Sequence, residues 1–248
     1  MSRGARRPRA ALSLCAERSL RLALALLAAF VGIYCAPASA QLAAEAALQT
    51  DYRWRGHSMS DGQPVASLSL GYDDPSGLYA GAAAIGTVRH DDPQVLSLQA
   101  NVGYARRLSR SVSVDAGFYH SQYYSGYGTD RHYHYNEAYL GLAIPNISAR
   151  VSYSGDYLIA GTQTLYAELN GGLEPAPDWS LSAHLGALNY LKTAPFGLPQ
   201  HRYDWSVGAS RQLGKMAVHL EVSGRVEGET RLPLSDKAAV VGSITRAF

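Results

Sequence analysis

The sequence predicts an all-β protein, an antiparallel up-and-down transmembrane β-barrel of about 12 strands. Three observations support this prediction. After residue 40 there is no apolar run long enough for a membrane-spanning helix. Apolar and polar residues alternate over segments of eight to thirteen residues. Gly, Pro, Asp or Asn separate these segments, as is typical of strands joined by turns.

Residues 1–40 have the features of an export signal. Six arginines lie in the first 21 residues, an apolar stretch follows at 22–35, and the small residues Ala-Ser-Ala end at Ala40. We therefore predict a cleaved signal peptide at 1–40 and an outer-membrane barrel at 41–248. Cleavage changes 22 basic and 20 acidic residues into 16 and 19, and it removes both cysteines. The remaining charge gives no indication of a nucleic-acid partner.

The predicted strands are recognised by their two different faces. In 95–105, apolar side chains alternate with polar ones, so one face of the strand suits an apolar medium and the other a polar medium. The apolar face contains Leu96, Leu98, Ala100, Val102 and Tyr104. Only 77–88 has no clear polar side, and its facing stays open. The predicted strands are 46–56, 63–73, 77–88, 95–106, 111–122, 134–144, 147–156, 163–173, 179–191, 203–213, 216–227 and 237–248.

The connections alternate in length, and aromatic residues concentrate near strand ends. Every second connection is short and those between are generally longer, which is the pattern of an outer-membrane barrel with periplasmic turns and outer loops. The chain ends on Phe248, a frequent mark of the last strand of such barrels. We predict an aromatic girdle facing lipid, made of Tyr52, Trp54, Tyr72, Tyr104, Tyr153, Trp179, Tyr203 and Trp205.

Charged residues fall on the opposite, lumen-facing side of the predicted strands. If Tyr52 and Trp54 face lipid, Arg53 and Arg55 face the lumen, whereas the reverse register would cost about 2–4 kcal/mol per arginine near the membrane midplane. These residues either set the ion selectivity of a pore or brace the wall by cross-strand ion pairs. The predicted pore-lining set is Asp51, Arg53, Arg55, Asp115, Glu137, Arg150, Glu168, Asp204, Glu221 and Arg225.

The stretch "TDYRWRGHSMSDGQP" at 50–64, followed by "GLYAG" at 77–81, resembles the N-terminal signature of the TorF-like family of outer-membrane porins. In that signature an Asp-Tyr, an Arg-Gly and a Ser-x-Ser followed by Asp or Asn precede a Pro at these spacings. The resemblance implies a porin architecture. It implies no catalytic residues and no particular solute.

Candidate catalytic and metal sites are few. His57 with Ser58 or Ser60, and Ser182 with His184, are pairs of the kind used in lipid hydrolysis, but neither has a third partner identifiable from sequence. His132 and His134 would share a strand face, with Asp130 or Glu137 as further metal ligands. A Tyr-, Gly- and His-rich outer loop is the simpler interpretation. We therefore expect no enzyme, no metal site and no cofactor.

The sequence favours an outer-membrane channel for passive diffusion of small hydrophilic solutes or ions. The alternative is a non-conducting barrel that serves as an adhesion surface or structural anchor, and a third hypothesis is an outer-membrane lipid hydrolase. The expected partners are outer-membrane lipid, small solutes and the barrel-assembly machinery, which would recognise the strand ending at Phe248. The solute, the open or closed state of the pore and the oligomeric state do not follow from the sequence.

Overall fold

The fold is a closed antiparallel barrel of twelve strands. The computed structural model describes residues 42–89, 92–124, 132–227 and 238–248, so the predicted signal peptide at 1–40 lies outside the described residues. Within these ranges no helix is long and apolar enough to span a membrane. The barrel strands are β1 (Leu42–Gln49), β4 (Val65–Asp73), β5 (Leu78–Arg89), β6 (Asp92–Arg107), β7 (Ser113–Tyr123), β8 (Tyr133–Ile144), β9 (Ile147–Ser154), β10 (Thr164–Ala176), β11 (Trp179–Tyr190), β12 (His201–Leu213), β13 (Met216–Glu227) and β14 (Ala239–Ala247).

Each barrel strand pairs with the barrel strands before and after it in the chain, and β1 closes the ring by pairing with β14. The short connections 74–77, 108–112, 145–146, 177–178 and 214–215 lie at one end of the barrel, together with the start of β1 and the end of β14. We call this the turn end and the opposite end the loop end. A two-stranded hairpin, β2 (Arg53–Trp54) with β3 (His57–Ser58), is not part of the barrel wall.

The predicted fold class is confirmed, and eleven of the twelve predicted strands coincide with barrel strands to within a few residues. The first prediction, 46–56, is wrong in its second half. The wall strand β1 ends at Gln49, which is the direct partner of Val65 at the start of β4. Residues 50–64 therefore leave the wall, and we call them the inner segment.

The outer surface of the barrel is apolar. Leu140 in the middle of β8 is 65% exposed, and large apolar residues on the same face of its neighbouring strands, Phe118 of β7 and Val151 of β9, are also exposed. Tyr72, Tyr104 and Trp179 face outward near the turn end, and Tyr153 and Tyr203 face outward near the loop end. The arrangement matches the predicted girdle except for Tyr52 and Trp54, which belong to the inner segment.

The predicted face of strand 95–106 contains one error. Ile85 pairs with Ser97 and Gly86 pairs with Val95, so Leu96 is the extra residue of a β-bulge. Leu96 is fully buried and packs against Val65 and Ile85, while its neighbour Val95 is exposed. The bulge reverses the alternation at this point. In β5, the odd-numbered residues from Tyr79 to Thr87 face the interior, which determines the facing that the sequence left open.

Candidate functional site

The inner segment crosses the barrel interior as a small hairpin. Arg55 and Gly56 form its two-residue turn, and both have positive φ, 50° and 71°, as a type I′ hairpin turn requires. Trp54 stacks on Tyr119 of β7, with ring centroids 5.7 Å apart. Tyr52 accepts a hydrogen bond of 2.5 Å from Gln99 of β6. The prediction that Tyr52 and Trp54 face lipid is thus wrong, because the chain folds into the lumen before it reaches them.

Asp51 organises the base of the inner segment. Its carboxylate accepts hydrogen bonds from Ser58 at 2.6 Å, from Ser60 at 2.8 Å and from the Arg53 guanidinium at 3.1 Å. The backbone N–H of Tyr52 donates to Ser60 Oγ at 3.0 Å. These contacts connect the two arms of the hairpin. The fold of the inner segment is therefore stabilised by its own polar residues.

A buried ion pair attaches the hairpin to the opposite wall. Arg55 Nη2 lies 2.8 Å from both carboxylate oxygens of Glu137 on β8. The Arg55 side chain is 8% exposed and the Glu137 side chain 4% exposed, so each charge depends on the other for compensation. The guanidinium also lies 3.8 Å above the ring of Tyr166 and 5.0 Å from that of Tyr157. Arg55 thus contacts β8, β10 and the 155–163 loop at once.

An aromatic cluster fills the loop end of the lumen around the hairpin. Tyr123 and Tyr135 are 0% exposed, and Met59 of the inner segment is buried between them and the other cluster members. Burial raises the pKa of Tyr52 and of Tyr157, so both phenols stay protonated and neutral. We call this group the aromatic plug; its buried members are Met59, Tyr123, Tyr135, Tyr157, Tyr166, Leu188, Tyr190 and Ala194.

The turn of the hairpin is pressed against the wall at β12 and β13. A Cβ at Gly56 would lie 2.8 Å from the carbonyl oxygen of Gly224 and 2.9 Å from the Cβ atoms of Asp204 and Arg225. At φ +71° a side chain is also disfavoured by about 1–2 kcal/mol. Gly56 is therefore required both by the turn and by the close approach.

We predict that Gly56→Ala displaces the hairpin turn from the wall. The measurement is fluorescence of Trp54 in a Trp179→Phe, Trp205→Phe background, where we expect a red shift and easier quenching. Gly62→Ala is the matched control, because Gly62 has the same φ of +71° but no atom lies within 4 Å of its added Cβ. Equal spectra for the two variants would contradict the steric explanation.

A polar cavity of about 430 Å³ lies beside the inner segment. Tyr79 of β5 and Arg150 of β9 line this cavity, and both residues lie near the turn end of their strands. The cavity is therefore on the turn-end side of the hairpin. Its charged and histidine lining consists of Arg53, Arg55, Glu137, Arg150, Glu168, His184, Asp204 and Glu221.

Two further hydrogen-bonded networks connect side chains of different wall strands around this cavity. Asp204 accepts a hydrogen bond from Tyr166 at 3.1 Å and lies 2.9 Å from His184 Nε2, while His184 Nδ1 lies 2.6 Å from Asn170. Closer to the turn end, Asp115 accepts hydrogen bonds from Tyr79 at 2.8 Å and from Arg150 at 3.1 Å.

The structure brings most of the predicted pore-lining residues together in pairs. Arg53 pairs with Asp51, Arg55 with Glu137, and Arg150 with Asp115. Arg225 contacts His57 of the hairpin at 2.5 Å and is the cross-strand partner of Asp204. Glu168 and Glu221 line the cavity. All ten predicted residues are inside the barrel, but Asp51, Arg53 and Arg55 are on the inner segment and not on a wall strand.

The tyrosines of the plug were missed by sequence reasoning, although a signal for them existed. In "YHYNEAY" at 133–139, Tyr133, Tyr135 and Tyr139 share the face of Glu137, which was predicted to point inward. Tyrosine is also typical of lipid-facing girdles, so its presence alone did not decide the facing. The better indicator was that these tyrosines lie at every second residue, on the same face as Glu137.

Several of the candidate catalytic and metal-ligating side chains bond to other residues. Ser58 and Ser60 donate hydrogen bonds to Asp51, and the two ring nitrogens of His184 lie beside Asn170 and Asp204. His134 is exposed on the outer face while Glu137 faces the lumen, and Asp130 lies outside the described residues. Among the residues that the structure describes, no three metal-ligating side chains cluster.

The barrel resembles solved structures that are named as porins. A structure titled "KdgM porin" aligns with a TM-score of 0.51 and 14% identity over 83% of this chain and 99% of that chain. A "KdgM porin in complex with disordered oligogalacturonate" aligns at 0.51 and 12% identity over 84% and 99%. A "NanC porin structure" aligns at 0.51 and 10% identity over 83% and 98%. At these identities the likeness shows the fold alone.

No curated protein matches the chain. The family that matches is described as a bacterial protein of unknown function, so the name suggested by the resemblance of 50–64 to TorF-like porins is not confirmed. Its model covers residues 35–226, which include most of the barrel and the whole inner segment. The chain therefore belongs to the Gcw_chp family of bacterial proteins of unknown function.

Proposed function

We propose that this protein is a channel of the bacterial outer membrane for small hydrophilic solutes or ions, and that the inner segment restricts passage through it. The observation on which this depends is a closed barrel with an apolar outer face and a polar, charge-lined cavity of about 430 Å³ inside. A polar lumen inside an apolar wall suits a structure that separates lipid from an aqueous path. The fold shared with barrels named as porins supports the proposal.

The outer-membrane location is supported by the outer surface and by the N-terminal sequence. Exposed leucines and valines surround the barrel, a surface that soluble monomers rarely present. We propose that residues 1–40 direct export and are removed, that lipid contacts the apolar band, and that the assembly machinery recognises the last strand.

The location makes a specific prediction about Leu140. It faces outward in the middle of β8, so Leu140→Arg is expected to lower the free energy of unfolding from lipid vesicles by about 2–4 kcal/mol. Ile144→Arg on the same face, at the turn end of β8, is the matched control and should cost about 0–1 kcal/mol. Equal losses for both variants would show that the surface is not embedded with β8 across the bilayer.

Planar-bilayer conductance of the refolded protein tests the channel itself. Discrete current steps from a heat-modifiable, folded barrel are the expected result. A pore-lining role for the ten predicted residues is part of this proposal. Some of them form ion pairs that fix the inner segment or the wall, and others are carboxylates that face the cavity.

The alternative function, a non-conducting anchor or adhesion barrel, is favoured by one specific observation. The aromatic plug occupies the loop end of the lumen, with Tyr123 and Tyr135 fully buried. A barrel that stays silent in bilayers even after the inner segment is removed would establish this alternative and exclude the channel.

A further inference from the structure

We propose that the cavity selects cations, including small solutes with an ammonium group, and that Glu168 and Glu221 determine this selectivity. The inference rests on the proposed channel function and names the charge class of its solutes. It follows from comparing, among the described residues, the lumen charges that have an oppositely charged partner with those that have none.

The three arginines that line the cavity are each bonded to a carboxylate. Arg53 and Arg55 are more than nine-tenths buried and are paired with Asp51 and Glu137. Their charges therefore act mainly on their partners. The local anion preference that Arg53 and Arg55 would give to an open pore is cancelled by these pairs.

Arg150 is the most exposed of the three arginines, and its contacts determine whether the charge of Glu168 is compensated. The two are direct cross-strand partners on β9 and β10. The Arg150 guanidinium nevertheless bonds to Asp115 at 3.1 Å on the other side and lies 4.4 Å above the ring of Tyr139. Asp115 compensates its charge, and Glu168 is left without that partner.

The carboxylates of the cavity divide into two groups. Glu137 and Asp204 are buried and bonded, to Arg55 and to Tyr166 with His184. Glu168 and Glu221 are half-buried and line the cavity. Among the described residues, neither has an arginine or lysine within ion-pair distance, and the nearest basic group to Glu221 is His219 at 3.8 Å. The uncompensated charge facing the cavity is therefore negative.

The field of these two carboxylates is sufficient for selectivity. A unit charge about 5 Å from a permeating ion changes the local ion concentration about fourfold even with the dielectric constant of bulk water. The effect is opposite for anions, and it is larger where protein replaces water around the ion. Two carboxylates can therefore dominate the selectivity of a narrow polar cavity.

The experiment measures reversal potential in a KCl gradient at low salt. We expect cation preference in the wild type and a decrease of the K⁺/Cl⁻ permeability ratio of at least about fourfold in Glu168→Gln, Glu221→Gln. The difference should shrink at high salt, where counterions screen the lumen. Asp178→Asn is the control, because Asp178 lies in the exposed 177–178 turn and has a positive φ that Asn tolerates. A conducting barrel with an unchanged ratio would overturn the inference.

A second measurement does not require conductance. In the Trp179→Phe, Trp205→Phe background, Trp54 borders the cavity, and its fluorescence should be quenched more by Cs⁺ than by iodide. The Glu168→Gln, Glu221→Gln change should remove that difference. If the protein does not conduct in bilayers but Trp54 is quenched more by Cs⁺ than by iodide, the channel is refuted and the cation site stands. Equal quenching by both ions would overturn the cation site.

Discussion

Replacing the inner segment by a two-residue Asn-Gly turn is expected to open a continuous aqueous passage and to raise single-channel conductance several-fold. The replacement preserves the register, because Gln49 and Val65 are already direct partners of β1 and β4. A two-residue turn joins such a pair without splaying the strands. The wall of the barrel is thus left intact while the hairpin is removed.

The expected size of this effect follows from what the hairpin contacts. Trp54 meets β7, Arg55 meets β8 and β10, and Gly56 meets β12 and β13, so the segment reaches most of the circumference. Twelve strands lie between the eight that side chains can fill and the sixteen that leave a wide channel. Once the hairpin is removed, the remaining tyrosines would not span the lumen.

The matched comparison is a barrel in which loop 191–200 is shortened in the same way. Asn189 and His201 are direct partners, and Ala194 of this loop contributes to the aromatic plug, but the inner segment remains in place. Its conductance should rise far less. Equal conductance in the wild type and both folded variants would show that neither element forms the constriction.

Sequence periodicity was sufficient for the wall of the barrel because the apolar exterior and the polar interior impose opposite requirements on alternate residues. Strands such as β8 and β13 satisfy both requirements along their length, so their facing could be predicted from one register. The bulge at Leu96 could not be predicted, since it adds a residue without changing the composition of the strand.

The inner segment could not be predicted from alternation for a different reason. Asp51, Arg53 and Arg55 alternate with Tyr52 and Trp54 as in a wall strand, because β2 is itself extended. Alternation shows that the two faces of a strand meet different environments, but it does not show what those environments are. Here the second side is an aromatic interior and not lipid. The turn residues Arg55 and Gly56 were the local signal that the chain reverses direction.

The partners of the lumen charges also lay beyond the sequence. Arg55 and Glu137 are 82 positions apart, and only the closed fold brings them within 2.8 Å. The sequence indicated that these residues face inward, and it left selectivity and bracing as equal alternatives. The pairing favours a structural role for Arg53 and Arg55, which makes the buried pair the natural target of a further experiment.

Breaking the Arg55–Glu137 pair is expected to release the inner segment from the wall. Either Arg55→Gln or Glu137→Gln leaves one buried charge without its partner, which typically costs about 3–5 kcal/mol. The readout is thiol labelling of Met59→Cys, a position that is 1% exposed in the aromatic plug. The reporter is unique if the predicted signal peptide is cleaved, because both native cysteines lie within residues 1–40.

Each single variant should accelerate labelling by roughly a hundredfold, the population change that corresponds to about 3 kcal/mol. The double variant Arg55→Gln, Glu137→Gln should label much more slowly than either single variant, because no charge is left uncompensated and two amides can still form a hydrogen bond. Arg150→Gln is the matched control. Arg150 pairs with Asp115 between wall strands and not with the inner segment, and its side chain is 42% exposed, so its loss should accelerate labelling far less. Labelling rates that do not distinguish Arg55→Gln from Arg150→Gln would show that the ion pair to β8 does not hold the inner segment in the lumen.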